Sequence, residues 1–311
     1  MIVSISQAVE ILNSQKVVAM PTETVYGLAG DATSDLAVAR IFETKERPEF
    51  NPLIIHIWDI AQIELIGTFS PAAQVLAKAF WPGPLTLVIP LHPTSPLSKL
   101  AGAGLNTIAV RMPHHPVALE LLRLFRNPLA APSANKSGRI SPTESSHVGL
   151  SLGSHVPVLE GGRCIVGLES TIVDVSSEIP YLLRHGAILK DQMEALLDQP
   201  IMDKTVPEKG GKILSPGQML SHYAPRLPLR MNVMTPHPTE AFLGFGLTEN
   251  ATLNLSPIGH LTEAAANLFS MLHTLDRPSY RGIAVAPIPQ TGLGLAINDR
   301  LKRAAAPKGI S

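Results

Sequence analysis

From residue 4 to residue 198, short apolar runs alternate with stretches of helical periodicity. That alternation constrains the fold more than any other feature, because strands interleaved with amphipathic helices bury their apolar faces as an α/β domain. The runs KVVAM (16–20), PLIIHI (52–57), LTLVI (85–89), TIAVRM (107–112), PLAAP (128–132), ESTIVDV (169–175) and YLLRHG (181–186) read as strands. Residues 4–15, 35–45, 71–80, 116–125 and 191–197 read as helices, the first with Ile5, Ala8, Val9 and Leu12 on one face. PTETVYGLAGDA (21–32) reads as a turn-rich loop and SANKSGRISPT (133–143) as a polar loop. Connections of unequal length predict mixed strand directions rather than a regular doubly wound sheet. No internal repeat is visible.

The pattern lapses after residue 198. DQPIMDKTVPEKGGKILSPGQMLSHYAPRLP has little periodicity and many Pro, Gly and Lys, the composition of a linker. A smaller α/β unit follows: strand-like AFLGFG, ATLNLS and RGIAVAPIP, a helix over 261–275 and a closing helix over 293–305.

Bulk properties exclude several classes. Lys+Arg and Asp+Glu both number 25, so a general basic coat for nucleic acid is disfavoured, though a local basic cleft is not. Hydrophobic content of 45% disfavours global disorder. A single cysteine, Cys164, cannot form an intrachain disulfide and suits a reducing compartment. The first twenty residues lack a basic start followed by an apolar core, and no apolar run approaches the roughly 18 residues of a membrane span. The expectation is a soluble cytoplasmic protein.

No phosphate-loop, dinucleotide or H-E-x-x-H motif is present. His114 and His115 lie among prolines in a turn, and Cys164 reads more readily as a packed residue than as a nucleophile. What remains is cations and hydroxyls at element ends. KERPEFNPLIIHI (45–57) sets Lys45, Arg47, Asn51 and His56 around one helix-to-strand connection. Helix-end electrostatics alone would account for the two cations, and so would an anionic ligand. Arg111 ends an apolar strand, where a guanidinium needs a salt bridge or a bound anion. Ser133, Asn135, Lys136, Ser137, Arg139 and Ser141 crowd one loop, and Arg184 ends a late strand. If those ends converge, they form a cationic cleft in a neutral protein, suited to a nucleoside triphosphate. Such a cleft catalyses phosphoryl or nucleotidyl transfer by position and charge. If they do not, these are scattered ion pairs.

PTETVYGL, KERPEFNPLIIH, WPGPLT, TIAVRMP, APSANKSGRISPT, ESTIVD and LLRHG occur in the order seen in the YrdC-like domain, and SPGQMLSHYAP resembles the linker signature of the long, two-domain L-threonylcarbamoyladenylate synthase family. The resemblance implies a YrdC-like twisted mixed sheet with helices and a basic concave face over 4–198. It implies a linker or lid over 199–228 and a smaller Rossmann-like α/β domain over 229–311. The implied reaction joins L-threonine, bicarbonate or carbon dioxide, and ATP with Mg2+ into L-threonylcarbamoyladenylate, releasing pyrophosphate. The product serves a downstream tRNA threonylcarbamoyl transferase complex. No membrane and no stable nucleic-acid complex is implied.

Carried over by position, the resemblance implies threonine contacts from Thr24, His56, Arg111, Ala131 and Ser170. It implies ATP contacts from Arg47, Asn51, Thr107, Ser133, Ser141, Arg184 and Tyr223. Lys45 and Arg47 become electrostatic candidates near the phosphates, with no certain catalytic side chain and no metal held by protein side chains alone. YGLAGDA departs from the pattern by placing Ala29 where Gly is expected, with Gly30 one position later, so the loop after Leu28 is expected to turn differently. Two other readings compete: a double-stranded RNA-binding module without catalysis, and a carbamoyl-transfer domain related to hydrogenase maturation. The second should carry zinc-finger and acylphosphatase modules, and this sequence has neither.

Overall fold

The computed structural model describes residues 1–48, 51–205 and 221–307. The linker motif residues 215–220 lie outside the described residues, as do Glu49 and Phe50 of the 45–57 connection.

The first unit runs β1 (Ile2–Val3), α1 (Ile5–Asn13), β2 (Val18–Met20), β3 (Gly27–Asp31), α2 (Asp35–Lys45), β4 (Ile54–His56), α3 (Ile63–Ile66), α4 (Pro71–Phe80), β5 (Leu85–Pro90) and β6 (Thr107–Arg111). It continues with α5 (Pro116–Phe125), β7 (Leu129–Ala130), α6 (Ser145–Leu152), β8 (Val158–Leu159), β9 (Thr171–Asp174), β10 (Tyr181–Arg184), α7 (Lys190–Leu197) and β11 (Met202–Asp203). The second comprises β12 (Leu229–Arg230), β13 (Glu240–Gly244), β14 (Leu253–Asn254), α8 (Leu261–Leu275), β15 (Gly282–Val285) and α9 (Leu293–Ala305).

The first unit is one mixed sheet, ordered β1-β8-β2-β3-β7-β4-β6-β5-β9-β10-β11. Helix starts follow local chemistry. Ser4 and Gln7 form a reciprocal capping box on α1, Ser34 caps α2, and Ser70 with Pro71 opens α4. Helices α1 and α5 pack their apolar faces on Val18, Met20, Ala29 and Leu129. A larger core holds Ile41 and Phe42 of α2, Leu76 of α4 and the inner residues of β4 to β6.

One expectation fails here. Residues 27–31 are not a loop but β3, pairing antiparallel with both β2 and β7. Glycines in this run suggest a turn, but their role is close approach. A Cβ on Gly27 would lie 3.2 Å from Ala131 Cβ, and one on Gly30 would lie 3.1 Å from Ile41 Cδ1. Ala29, at the position departing from the family pattern, is a buried strand residue opposite Val18. No turn follows Leu28.

The second unit is a parallel sheet, β12-β15-β13-β14, covered by α8 and α9. Its core also takes Val25, Ile140 and Leu168 of the first unit, with Tyr223 between. The two units therefore share one apolar seam.

Sheet register positions the candidate site. β4 and β6 run parallel with His56 opposite Arg111, so both side chains leave the sheet at the same strand ends. β5 and β9 also run parallel, and β10 returns antiparallel with an irregularity that sets Arg184 opposite Ile172. Strand ends, the α2–β4 connection and the loops after β7 thus meet at one edge.

Candidate active site

That edge holds an open cleft enclosing about 530 Å³, its mouth included. Arg47, Arg111 and Arg184 line it, as do His56, Thr24 and Ser170. Ala131 and Ser133 form part of its wall, and Tyr223 closes one side. The predicted convergence of cations is real for three guanidinium groups.

Helix α2 ends at Glu46 in the left-handed region, φ +50°, which turns the chain so that Arg47 points back into the cleft. Arg47 is buried and donates to the carbonyls of Asn51 (3.3 Å) and Pro52 (3.0 Å). Burial, with Arg184 nearby, brings its pKa down to about 9, so it remains a cation at neutral pH. Arg184 donates through Nε to the Ser170 carbonyl (3.0 Å) and through Nη2 to Ser170 Oγ (3.1 Å). Burial holds it at about 10. Ser170 Oγ also meets Thr86 Oγ1 at 2.7 Å, so its orientation is set from two sides.

Arg111 is held on every side. Its Nε donates to the Gly83 carbonyl (3.2 Å) and its Nη1 to Thr24 Oγ1 (2.8 Å). Its Nη2 lies 2.7 Å from Glu23 Oε1, a buried charge contact whose angle falls outside hydrogen-bond geometry. The strand's demand for an anion is therefore met within the protein by Glu23. Burial of Arg111 does not by itself require a ligand. Thr24 Oγ1 in turn meets Thr22 Oγ1 at 2.8 Å, which fixes the threonine pair against the guanidinium.

His56 is not a cation. Burial, then Arg111, pushes its pKa down to about 3, and its Nδ1 lies 3.3 Å from the Ile54 carbonyl. His222, next to Tyr223, is also held neutral by burial and by Arg47 and Lys45. Tyr223 sits at φ +63°, packed edge-on against His222 and near Phe269 of α8. Its hydroxyl is buried with no hydrogen-bond partner among the described residues.

Several expected residues lie elsewhere. Lys45 is buried, and its ammonium donates to the carbonyls of Ser133 and of Asn135 (2.6 Å). It ties the loop after β7 to α2 and does not line the cleft. Asn51 is fully buried, with its carbonyl under Arg47, and also lies outside the lining. Ser141 is fully buried and donates to Glu169 Oε1, so Glu169 stands between it and the cleft. Thr107 begins β6, and Arg111 ends it. Four strand steps, roughly 13 Å, separate Thr107 from the cleft end. Lys136 pairs with Glu46 at 2.5 Å, and with Arg139 it lines a separate groove beside Arg226 and His273.

Glu169 opens the ESTIVD run among the hydroxyl residues, and the sequence alone assigns it no role. It lines the cleft and is gripped by Arg300 of α9. Its position beside Ser170 in ESTIVD was the available signal.

Chemically, the cleft offers guanidinium groups and oriented hydroxyls but no activated nucleophile. Both imidazoles near it are held neutral by burial. Cys164 is packed away, its thiol pushed up to about 12 by burial. Among the described residues no group of three or more His, Cys, Asp or Glu could hold a metal ion. The arrangement suits binding and polarising a polyanion.

Comparison with known proteins agrees with this geometry. A family described as "Telomere recombination" (Sua5_yciO_yrdC) matches residues 10–186, and one described as "Threonylcarbamoyl-AMP synthase, C-terminal domain" matches 188–306. A Bacillus subtilis threonylcarbamoyl-AMP synthase is 40% identical over 326 aligned residues, spanning 98% of this chain and 94% of that protein. A Pyrococcus abyssi threonylcarbamoyl-AMP synthase is 37% identical, spanning 93% and 90%. The crystal structure of P. abyssi Sua5 complexed with L-threonine superposes with a TM-score of 0.89 at 35% identity, covering 97% of this chain and 94% of that one.

Proposed function

The chain belongs to the two-domain threonylcarbamoyl-AMP synthase family, and we propose that the cleft at the strand ends holds its substrates and carries its chemistry. The enzyme makes L-threonylcarbamoyladenylate from L-threonine, bicarbonate or carbon dioxide, and ATP, for threonylcarbamoyladenosine modification of tRNA. The observation that carries the site assignment is the meeting of Arg47, Arg111 and Arg184 with Thr24, Ser170 and Tyr223 on one cleft.

The threonine amine, in its neutral form, adds through its lone pair to the carbon of carbon dioxide, one C–O π bond gives its electrons to oxygen, and the nitrogen releases one proton to solvent to leave a carbamate. A carbamate oxygen attacks the ATP α-phosphorus, the new P–O bond forms, and the bond to the β-phosphate oxygen breaks with its electron pair leaving on pyrophosphate. Arg47 and Arg184 sit on the cleft wall where negative charge on the triphosphate would be met, and their pKa values keep them charged. Thr24, Ser170 and neutral His56 form a wall of hydroxyls and imidazole suited to the zwitterionic amino acid, with the Arg111–Glu23 pair behind it. Reaction by position and charge, without a covalent enzyme intermediate, fits a cleft whose imidazoles are neutral and whose cysteine is packed away. Magnesium enters as the counter-ion of the triphosphate substrate. Ser133 lies on the nucleotide side through the loop that Lys45 ties down. The product passes to a tRNA threonylcarbamoyl transferase complex, and the working compartment is the cytoplasm. No helix among the described residues is long and apolar enough to cross a membrane.

The test is product formation. Purified protein with MgATP and bicarbonate should release pyrophosphate and give threonylcarbamoyladenylate by mass spectrometry only when L-threonine is present. Binding of ATP without threonine-dependent product would overturn the assignment.

A further inference from the structure

Glu169 is out of place in a cleft built for a polyanion. It is the one carboxylate among the described lining residues, and it lies on the same wall as Arg47 and Arg184. An uncompensated carboxylate there would oppose a triphosphate. Its partner comes from the other domain. Arg300 of α9, 1% exposed, donates through Nε to Glu169 Oε2 (3.1 Å) and through Nη2 to the Glu169 carbonyl (3.4 Å). Glu169 Oε1 accepts from Ser141, so both carboxylate oxygens are committed.

We propose that Arg300 is a positioning residue of the nucleotide site, by which the second domain neutralises and orients Glu169 so that ATP can enter. This rests on the synthase reading of the cleft. Arg300 is well placed for the task. Its guanidinium lies 5.5 Å from the Tyr223 ring centre, against the side chain that closes the cleft. Asp299 holds its Nη1 at 3.1 Å, so the fork cannot swing away. Burial alone would lower the Arg300 pKa, yet Tyr223, Glu169 and Asp299 around it hold it above the ordinary arginine value. The next turn of α9 reinforces the link. Arg303 accepts the His222 amide at its carbonyl (3.2 Å) and donates to the Thr205 carbonyl (3.1 Å). Helix α9 thus grips the chain on both sides of residues 206–220 while Arg300 reaches the cleft wall.

Equilibrium binding by calorimetry on the full chain tests this without requiring turnover, so a failure here is distinct from a failure to make product. Arg300→Met should weaken ATP binding by about tenfold or more, because it strips Glu169 of its paired guanidinium and leaves only Ser141 and the more distant charge of Arg184 against it. L-threonine binding should change less than about threefold. Combining it with Glu169→Gln removes the exposed charge and should restore ATP binding to within about threefold of the unaltered protein. The double variant also serves if Arg300→Met alone does not fold. Unchanged ATP binding in Arg300→Met overturns the proposal. So does equal weakening of both ligands, which would mark Arg300 as mere interdomain glue. A double variant that binds ATP as poorly as Arg300→Met overturns it too.

Discussion

Two regions of the molecule satisfy their arginines in opposite ways. In the second domain and its seam, guanidinium groups meet carboxylates: Arg230 with Glu240 at 2.6 Å, Arg226 with Asp276 at 3.3 Å, Arg300 with Glu169 and Asp299 at 3.1 Å. In the cleft, Arg47 donates to carbonyl oxygens instead. Burial lowers its pKa, whereas those of Arg230 and Arg300 are raised. A carboxylate-paired arginine is complete in the folded chain. A carbonyl-bound one keeps a net charge that a polyanion can still satisfy. Arg111 stands between the two classes, since it lines the cleft yet is paired with Glu23.

The sharpest break of this contrast is Arg111→Ala. It strands Glu23 as a buried charge, and losing one partner of a buried pair costs about 3–5 kcal/mol. Chemical denaturation should show that loss, and the apparent KM for L-threonine should rise because Thr24 loses its donor. A Glu23→Gln, Arg111→Met double variant should regain most of the stability but not the threonine affinity. Recovery of both would mean that the pair matters only to folding.

Arg47→Ala should behave in the opposite way. Removing one preorganised donor to developing charge costs about 2.7–4 kcal/mol in catalysis, roughly 10²- to 10³-fold in kcat/KM for ATP. Stability should move by no more than about 1 kcal/mol, because losing donors to the Asn51 and Pro52 carbonyls is offset by removing a buried charge. A large stability loss with intact ATP kinetics would place Arg47 with the self-satisfied arginines instead.

This division was only partly legible in the sequence. Helices α2, α4, α5, α8 and α9 begin and end where periodicity puts them, and Ser34, Ser70, Pro71 and Pro116 mark the starts of the first three. Strand β3 was illegible because Gly27 and Gly30 serve close packing, which looks like turn chemistry along the chain. The two-residue strands β1 and β8 carry no period-2 signal at that length. In the site, Arg47, His56, Arg111 and Arg184 were placed by motif, but not their electrical state. Nothing local says that His56 is neutral or that Lys45 faces two carbonyls rather than a phosphate. The Arg300–Glu169 contact spans 131 residues of sequence, and no window of the chain contains it.

The seam between the domains carries a pH dependence of its own, added to that of the buried His56 and His222 at the cleft. His147 of α6 stacks on His273 of α8, ring centres 4.0 Å apart, and His273 Nε2 lies 3.2 Å from the Ser141 carbonyl. Burial holds both imidazoles at about 4, below the ordinary 6.5. The unfolded chain therefore binds protons that the folded chain refuses between pH 6.5 and about 4. Stability should be complete above that window and fall as pH drops through it. Melting temperatures from pH 7.5 to 4.5 should show this, and His147→Asn with His273→Asn should make the profile shallower, leaving the share that buried His56 and His222 carry. An unaltered slope in the double variant would move the titration elsewhere.

The smallest effect belongs to the pair that looks strongest on paper. Arg230 and Glu240 make two short contacts, 2.8 and 2.6 Å, and the Arg230 hydrogen bond holds the Glu240 carboxyl down to about 2. Yet the Arg230 side chain is 46% exposed, so water and salt screen the charge and the held side chains lose rotamer freedom. Arg230→Ala should therefore barely change stability and leave ATP and threonine kinetics unchanged. What it does cost should vanish in high salt, and also as pH falls from the unfolded carboxylate range toward 2, where Glu240 takes up its proton. A loss as large as that of Arg111→Ala would show that pairing with a carboxylate, rather than burial, sets the worth of an arginine here, and the contrast between the two regions would collapse.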